Sequence, residues 1–262
     1  MKLFKHYDFT TMTELDSDWT VQVGEKWANH EVQQYVHDSE HLFFNNGLVL
    51  QATYDGNVVK SARLNTRNQF FFTYGKIEVT AKIPKGKGTW PAIWMMPNEP
   101  RYGHWPKSGE IDIMEHTANN LDRLFFCLHT EKYNHRKPSE QYYTADLFPG
   151  ITDDFHTFGL VWEEHQIIYY VDDVEVAKYT RGEHGKDSSH QGWPFDYDYY
   201  LILNLAIGGT FGGAVDYTMF PQQFTIKEIK ILGLWISNQQ KNYKKKEYIM
   251  TNEEIYIKWT EF

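Results

Sequence analysis

The sequence predicts an all-β fold, a sandwich of two antiparallel sheets within one large domain. Three observations lead to this prediction: strand-like alternation of apolar and polar residues, many short apolar runs bounded by Gly, Asn and Asp, and an aromatic content of 17%. Aromatic and β-branched residues favour strands, and many short strands separated by turn residues are typical of sandwiches. The length of 262 residues fits a single domain of this kind.

Three segments show the strand pattern most clearly. Residues 76–83 alternate between polar and apolar side chains and stop at a proline, which predicts a half-buried strand. Residues 166–176 form two apolar runs around an Asp-Asp pair, which predicts a hairpin. Residues 201–207 are followed by two glycines, which predicts a strand that ends in a turn.

Three carboxylates lie within six positions in the segment 110–115, separated only by apolar residues. Because strand side chains alternate faces, Glu110 and Asp112 share one face, whereas a regular strand directs Glu115 to the other. A β-bulge at Met114 would return Glu115 to the first face. Carboxylates are rarely buried without partners, so a solvated strand face is the alternative. A retaining glycosidase uses two carboxyls about 5–5.5 Å apart for catalysis.

Tryptophans lie close to these acids in the sequence. Trp90, Trp94 and Trp105 precede Glu110 in a stretch rich in Gly and Pro. Prolines 91 and 97 argue against a helix, so Trp90 and Trp94 are predicted to share one face of a strand. Aromatic faces of this kind stack on pyranose rings in sugar clefts. Ordinary core packing is the alternative for both residues.

At these motifs the chain resembles glycoside hydrolase family 16, in its laminarinase-like branch, and the matches run in the family's order over residues 6–232. The motifs that carry the resemblance are Tyr-Gly-Lys-Ile-Glu-Val at 74–79, Gly-Thr-Trp-Pro-Ala-Ile-Trp-Met-Met-Pro at 88–97, Trp-Pro-Lys-Ser-Gly-Glu-Ile-Asp-Ile-Met-Glu at 105–115, Asp-Phe-His-Thr-Phe-Gly at 154–159, Tyr-Leu-Ile-Leu-Asn-Leu-Ala-Ile-Gly-Gly at 200–209 and Phe-Pro-Gln at 220–222. The resemblance implies a concanavalin A-like jelly roll of two curved antiparallel sheets. Its concave sheet would carry the acids along an open cleft.

The resemblance also implies an activity, that of an endo-acting retaining β-1,3-glucanase that cuts laminarin-type glucan and, by extension, mixed β-1,3/1,4-glucan. Glu110 would then be the nucleophile, Glu115 the acid/base, and Asp112 the group that couples them. Dedicated mixed-linkage lichenases carry the shorter Glu-x-Asp-x-Glu, so the extra residue Met114 favours the laminarinase side. Two alternatives stay open: an agarase-type galactan hydrolase, which shares the longer pattern, and a non-catalytic glucan-binding module, which loses the glutamates.

Seven residues are candidate substrate contacts by the same resemblance or by their place near the acids. His129 is predicted on the neighbouring strand, with a hydrogen-bonded core histidine as the alternative. Asn29 and Arg63 match positions that contact the non-reducing-side sugars, with a turn Asn and a surface Arg as alternatives. The full candidate set is Asn29, Arg63, Trp90, Trp94, His104, Trp105 and His129. His156 and Asn204 are expected to make structural hydrogen bonds.

Composition limits the partners. The formal charge of −9 argues against nucleic acid and anionic membranes, and no apolar run reaches membrane-spanning length. The expected partner is a β-glucan polysaccharide or oligosaccharide, and the expected state is a monomer. The one cysteine, Cys127, allows no internal disulfide and is predicted to be a small buried apolar residue.

No cofactor and no metal are expected. Members of the family often hold a structural calcium ion far from the cleft, with an aspartate of the final strand as one ligand. Lys227 stands at that aspartate's place in this sequence. An ammonium group offers no oxygen donor, so calcium is not expected there.

The two ends of the chain lie outside the stretch that resembles the family. Residues 1–232 are predicted to be the catalytic domain, and 233–262 a C-terminal extension packed on it, with a basic solvated loop at 241–247 and an added edge strand at 254–260. Sugar binding is an alternative for Trp259. The first residues have no apolar stretch of signal-peptide length, so the chain as written is expected in the cytoplasm, or outside the cell if it was trimmed.

Overall fold

The computed structural model describes residues 1–137 and 142–233, and eighteen strands within them form two sheets packed face to face. In chain order the strands are β1 (Lys2–Asp8), β2 (Thr20–Val21), β3 (Gln33–Tyr35), β4 (Leu42–Phe44), β5 (Leu48–Tyr54), β6 (Val59–Ser61), β7 (Arg63–Asn65), β8 (Phe71–Phe72), β9 (Gly75–Lys82), β10 (Thr89–Pro97), β11 (Glu110–His116), β12 (Arg123–His129), β13 (Tyr142–Leu147), β14 (His156–Trp162), β15 (Gln166–Val171), β16 (Val174–Thr180), β17 (Tyr199–Ile207) and β18 (Gln222–Gly233). The short helices are α1 (Gly209–Gly212) and the 3₁₀ turns Ala28–His30, Ala118–Asn120 and Glu183–Gly185. The predictions for 241–247, 254–260 and Trp259 lie outside the described residues.

The two sheets differ in size and in what they carry. The ten-stranded sheet has the order β16-β15-β14-β9-β18-β5-β6-β3, with β1 beside β18 and β4 beside β5. The eight-stranded sheet has the order β13-β12-β11-β10-β17-β7-β2, with β8 beside β17. The described pairs are antiparallel except β3 with β6, which run parallel. The predicted sandwich of two antiparallel sheets is confirmed with this one departure.

The predicted strands form where the pattern placed them. Along β9 every second residue is buried, and Ile77, Val79 and Ala81 enter the core. The hairpin β15–β16 turns at Asp172 and Asp173, whose φ angles of 49° and 65° are those of a tight hairpin turn. β17 ends at Ile207, directly before the two glycines. Local alternation was therefore sufficient to place these elements.

One face of the eight-stranded sheet packs in the core, and its other face carries candidate residues. Core residues on this sheet are apolar and come from every central strand, for example Ile93 on β10, Ile111 on β11 and Leu203 on β17. Since neighbouring residues alternate faces, the residues between them point away from the core. No helix in the described part of the chain has the length and apolarity needed to cross a membrane.

Candidate active site

A β-bulge in β11 brings the three carboxylates to one face of the sheet. Opposite β10, Asp112 pairs with Trp94 and Met114 with Ile93, so Ile113 has no partner of its own. Opposite β12 the register also shifts between Asp112 and Glu115. The predicted bulge is confirmed, but the skipped residue is Ile113 and not Met114. The physical reason is that both apolar side chains enter the core in succession, each fully buried, which a regular strand does not allow.

The carboxylates and a histidine form one close cluster. One atom each of Glu110, Asp112 and His129 lie within 4.8 Å of one another, and so do one atom each of Asp112, Glu115 and Cys127. His129 Nε2 lies 3.2 Å from Asp112 Oδ2 and 3.7 Å from Glu110 Oε1. His129 is the residue of β12 directly opposite Glu110. The predicted position of His129 beside the acids is therefore observed.

Burial makes the charged forms of these acids costly. It raises the pKa of Glu110 to about 8, with the charge of Asp112 adding to the rise and His129 opposing it. Burial also raises the pKa of Asp112 to about 8, opposed by a hydrogen bond with Glu110. The pKa of Glu115 rises to about 8 through burial and then through Asp112. Three acids this close titrate together, so the cluster retains protons at neutral pH.

Two side chains contact the Glu115 carboxyl from neighbouring strands. Trp90 Nε1 donates to Glu115 Oε1 over 3.0 Å. The Cys127 thiol lies on the other side, with its Sγ within 4.8 Å of a Glu115 carboxyl oxygen, and it also lowers the pKa of Glu115. Cys127 is buried as predicted, but its side chain faces the acids and not the apolar core, which corrects its interpretation as an ordinary small apolar residue. Trp90 is also buried, so its exposed ring surface for stacking is small.

Beside Glu110 lies a second aromatic group that includes residues the sequence did not indicate. Trp105 is half-buried, and its indole nitrogen favours the charged form of Glu110, which lowers the pKa of that carboxyl. The ring centroid of Trp105 lies 6.1 Å from that of His129 and 5.2 Å from that of His135. The guanidinium of Arg136 lies 4.9 Å from the Trp105 ring centroid. His135 and Arg136 follow β12 in a polar loop, and no local pattern marks them.

Arg63 organises the other end of the same face. Its guanidinium carbon lies 4.8 Å from the ring centroid of Trp27 and 4.9 Å from that of Trp94. Arg63 Nε donates to Gln22 Oε1 over 2.6 Å, which fixes the guanidinium between the two rings. Arg63 and Glu115 lie on one row across the sheet, through Ala92 and Asn204. The predicted substrate residues Arg63 and Trp94 are thus brought together, and Trp27 joins them.

A chain of hydrogen bonds holds Trp94 in place. Trp94 Nε1 donates to Asn204 Oδ1 over 2.7 Å, and Asn204 Nδ2 donates to the Tyr35 hydroxyl over 3.1 Å. The Tyr35 hydroxyl in turn donates to Glu31 Oε2 over 3.4 Å, and Gln33 Nε2 donates to the same oxygen over 2.7 Å. The alternation of Glu31, Gln33 and Tyr35 could have indicated this polar group, since residues two apart in extended chain share one side; Gln33 and Tyr35 lie on β3 and Glu31 just before it.

The structure does not bring Asn29 and His104 into the cluster. Asn29 is exposed and has a φ of 60° in the turn Ala28–His30. Its backbone is therefore that of a turn asparagine, which was the alternative to a substrate contact. His104 is exposed in the loop before β11, and its side chain has no bonding partner among the described residues. His156 Nδ1 lies 2.6 Å from Asp172 Oδ2 at the far end of the other sheet.

The described residues contain two groups with donor sets that suit a metal, and both belong to the carboxylate cluster: Glu110, Asp112 and His129, and Asp112, Glu115 and Cys127. Lys227 lies on the other sheet where the register of β18 shifts. Its ammonium lies 3.9 Å from the ring centroid of Phe155. A cation packed on an aromatic ring supplies no oxygen donor, so the side chain at position 227 does not fit a calcium ligand. The expected absence of calcium stays a prediction.

A β-sandwich with clustered, proton-retaining carboxylates between tryptophans on its open sheet face is the arrangement of a carbohydrate-cleaving enzyme. The chain belongs to the glycosyl hydrolases family 16, whose family model matches residues 26–210. It is 35% identical over 236 residues to a beta-glucanase of Rhodothermus marinus, covering 86% of this chain and 82% of that protein. It is 40% identical over 178 residues to a beta-1,3-glucan-binding protein of Penaeus monodon, covering 60% of this chain and 48% of that protein. The crystal structure of the laminarinase from Rhodothermus marinus superimposes with a TM-score of 0.82 at 34% identity, covering 88% of this chain and 97% of the other.

Proposed function

We propose that this protein is an endo-acting glycoside hydrolase that cleaves β-1,3-glucan, and mixed β-1,3/1,4-glucan as a second substrate, with retention of anomeric configuration. The observation that carries the proposal is the bulge in β11, which places Glu110, Asp112 and Glu115 on one open sheet face within a 4.8 Å cluster around Asp112. The similarity to a beta-glucanase and to a laminarinase supports the substrate class.

In the first step of the proposed reaction, Glu110 attacks the anomeric carbon and Glu115 protonates the departing glycosidic oxygen. A proton on Glu115 is required for this step, and burial together with Asp112 keeps that proton in place at neutral pH. The nucleophile must be charged. His129 lowers the pKa of both glutamates, whereas Trp105 acts in that direction on Glu110 and not on Glu115.

In the second step, water attacks the glycosyl-enzyme and Glu115, now charged, accepts the proton from that water. Asp112 lies between the two glutamates and hydrogen-bonds Glu110. Its charge opposes ionisation of both neighbours. We assign Asp112 the role of coupling the two protonation states, since loss of the proton from one glutamate makes loss from the other harder.

The two ends of the face are assigned to different sugars of the bound glucan. Trp94 and Arg63, with Trp27, would bind the non-reducing-side sugars, because aromatic faces and a fixed guanidinium suit pyranose rings and hydroxyls. Trp105 and His129, near Glu110, would border the reacting sugar. Asn29 and His104 are assigned to the rim of the cleft, and Trp90 to contact with the acid/base.

A binding protein without catalysis is the second candidate, because one relative is named a beta-1,3-glucan-binding protein. Such a protein needs the sheet face but has no use for paired acids that retain protons. Here Glu110 and Glu115 are both present, and both have a pKa raised to about 8. The proton-retaining cluster therefore favours the enzyme.

A reducing-sugar assay on laminarin, lichenan and agarose tests the proposal. We expect release of reducing ends from laminarin, a lower rate on lichenan, and no release from agarose. Proton NMR during early hydrolysis should show the β-anomer at the new reducing end. Activity on agarose alone would identify a galactan hydrolase, and binding of laminarin without hydrolysis would identify the binding protein.

We further propose that residues 1–232 form the catalytic domain and that the enzyme acts as a monomer without a cofactor or a metal ion. β-Glucan is the proposed partner, whereas nucleic acid and membranes are not. Analytical ultracentrifugation and an assay with and without a chelator would test these statements.

A further inference from the structure

Glu115 must change charge twice in each proposed catalytic cycle, and two neutral side chains hold its carboxyl on either side. Trp90 on β10 donates its indole N–H to Glu115 Oε1 over 3.0 Å. Cys127 on β12 brings its thiol to the same carboxyl. Since β10 and β12 flank β11 in the sheet, the carboxyl lies between donors from both neighbouring strands.

Trp90 is built for this contact and not for stacking on a sugar. It is 9% exposed, and its ring packs edge-on against Phe211 with centroids 5.2 Å apart. Phe211 packs in turn against Phe125, with centroids 4.8 Å apart. Packing of this kind fixes the indole plane, so its N–H has a defined direction towards Glu115.

Cys127 is the residue of β12 directly opposite Asp112. Its side chain is buried beside Asp112 and Glu115 and is not part of the apolar core. The thiol has a raised pKa, caused by burial and then by the charges of Glu115 and Asp112. It therefore stays an S–H group, which is a weak donor.

We propose that Trp90 and Cys127 are positioning residues that form a two-donor cradle for Glu115, orienting its carboxyl and favouring the charged form it adopts between the two half-reactions. This inference rests on the proposed retaining mechanism, in which Glu115 is first acid and then base. An unassisted buried glutamate would hold its proton too strongly to give it up. The cradle offsets part of the cost of burial without adding a positive charge.

The cradle acts within a set of other titratable groups whose charges interact with Glu115. On its own strand these are Asp112 and Glu110, on β12 His129, on β13 Tyr143, and on the opposite sheet Tyr169, whose hydroxyl donates to the Cys127 carbonyl over 3.0 Å. These groups are the same in every variant below. A difference between variants therefore reports on the donor that was changed.

The test is the alkaline limb of the pH dependence of kcat/KM on laminarin, which reports the proton on the catalytic acid. Trp90→Phe removes one donor to the charged carboxyl, so Glu115 should keep its proton to higher pH and the limb should move up by about one unit. Cys127→Ala should move it up by about half a unit, because a thiol is the weaker donor. Cys127→Ser substitutes a stronger donor and should move the limb down.

Trp94→Phe is the matched control, because it removes an indole N–H from the same strand that is bonded to Asn204 and not to an acid. It is expected to alter KM and to leave the alkaline limb in place. Opposite shifts for Ala and Ser at position 127 would not arise from a purely structural role. If Trp90→Phe fails to fold, the Ala and Ser pair decides the matter alone.

Failure of this inference can be told apart from failure of the proposed function. A wild-type protein without hydrolytic activity on any glucan would refute the function. An active wild type whose alkaline limb does not differ among the Cys127→Ala, Cys127→Ser and Trp94→Phe variants would overturn the cradle and leave the function intact.

Discussion

The two ends of the active face treat their charged groups in opposite ways. At the Arg63 end, the guanidinium lies between two rings and donates to Gln22, and the polar groups beneath it form a continuous chain of hydrogen bonds. At the Glu115 end, three carboxyls share a buried space with a single histidine, and each has a pKa raised to about 8. The charged group at the Arg63 end is stabilised by its neighbours, whereas the charged forms of the carboxyls at the Glu115 end are costly.

The difference shows what each end is suited to do. An end whose guanidinium and indole are held by hydrogen bonds can bind a neutral sugar without rearranging. Carboxyls that retain protons can give and take them during a reaction. Strand β10 serves both ends with the same chemical group, because the indole N–H of Trp94 bonds an amide whereas that of Trp90 bonds an acid.

The largest expected effect follows from removing either catalytic carboxyl. Glu110→Ala and Glu115→Ala should each lower kcat/KM on laminarin by about a thousandfold, within the range for loss of a nucleophile or of an acid/base. Circular dichroism and thermal unfolding should show an intact fold, because each change removes a chemical role and little core packing. A variant that keeps a tenth of wild-type turnover would contradict the assignment.

Azide distinguishes the two roles on an activated aryl glycoside. With Glu110→Ala, azide takes the nucleophile's place and should give the α-glycosyl azide. With Glu115→Ala, the glycosyl-enzyme still forms, and azide should give the β product. Exchange of these two products between the variants would mean that the roles are reversed.

A smaller effect, on binding alone, is expected at the Arg63 end. Arg63→Met keeps the apolar stem but removes the charge between Trp27 and Trp94. We expect KM for laminarin to rise about tenfold, equivalent to about 1.4 kcal/mol, with kcat changed much less because the acids are untouched. Arg67→Met is the control: Arg67 is exposed, 5.9 Å from the Tyr200 ring centroid. A large loss of kcat for Arg63→Met would show that the two ends are not independent.

The last effect concerns the stability of the fold and leaves the activity at its working pH outside the comparison. A carboxyl with a higher pKa in the folded than in the unfolded chain stabilises the fold fully below the unfolded pKa, and this contribution is lost as pH rises through the folded pKa. For Glu110 and Glu115 that window runs from 4.5 to about 8. The variant with Gln at both positions and Asn at 112 should therefore gain in melting temperature relative to wild type as pH rises across this window. Parallel curves of melting temperature against pH would show that the acids are not desolvated.

Much of this site could be predicted from local patterns. The segment 110–115 contains the acids, and the presence of one residue too many between Asp112 and Glu115 was enough to predict a bulge. The prediction of which residue is skipped was wrong. Ile113 and Met114 are both apolar and both buried, so residue type does not tell them apart. Only the pairing with β10 distinguishes them.

Cys127 shows why the facing of some residues could not be predicted. The segment from Leu124 to Leu128 is apolar at every position, since one side of β12 packs in the core and the other against the acids and rings of the active face. Alternation is then invisible, and nothing local says which face a residue occupies. His135 and Arg136, which reach Trp105 from a polar loop, lie equally beyond local patterns.

The sequence by itself determined the fold class, the strand positions, the three acids on one face and the family, because these depend on residue type and spacing along the chain. The tertiary structure alone decided that Arg63 lies between Trp27 and Trp94, and that Trp90 and Cys127 meet at Glu115. Contacts of this kind depend on strand order and register between segments far apart in sequence. Register is set by the packing of the whole core, so no short segment contains it.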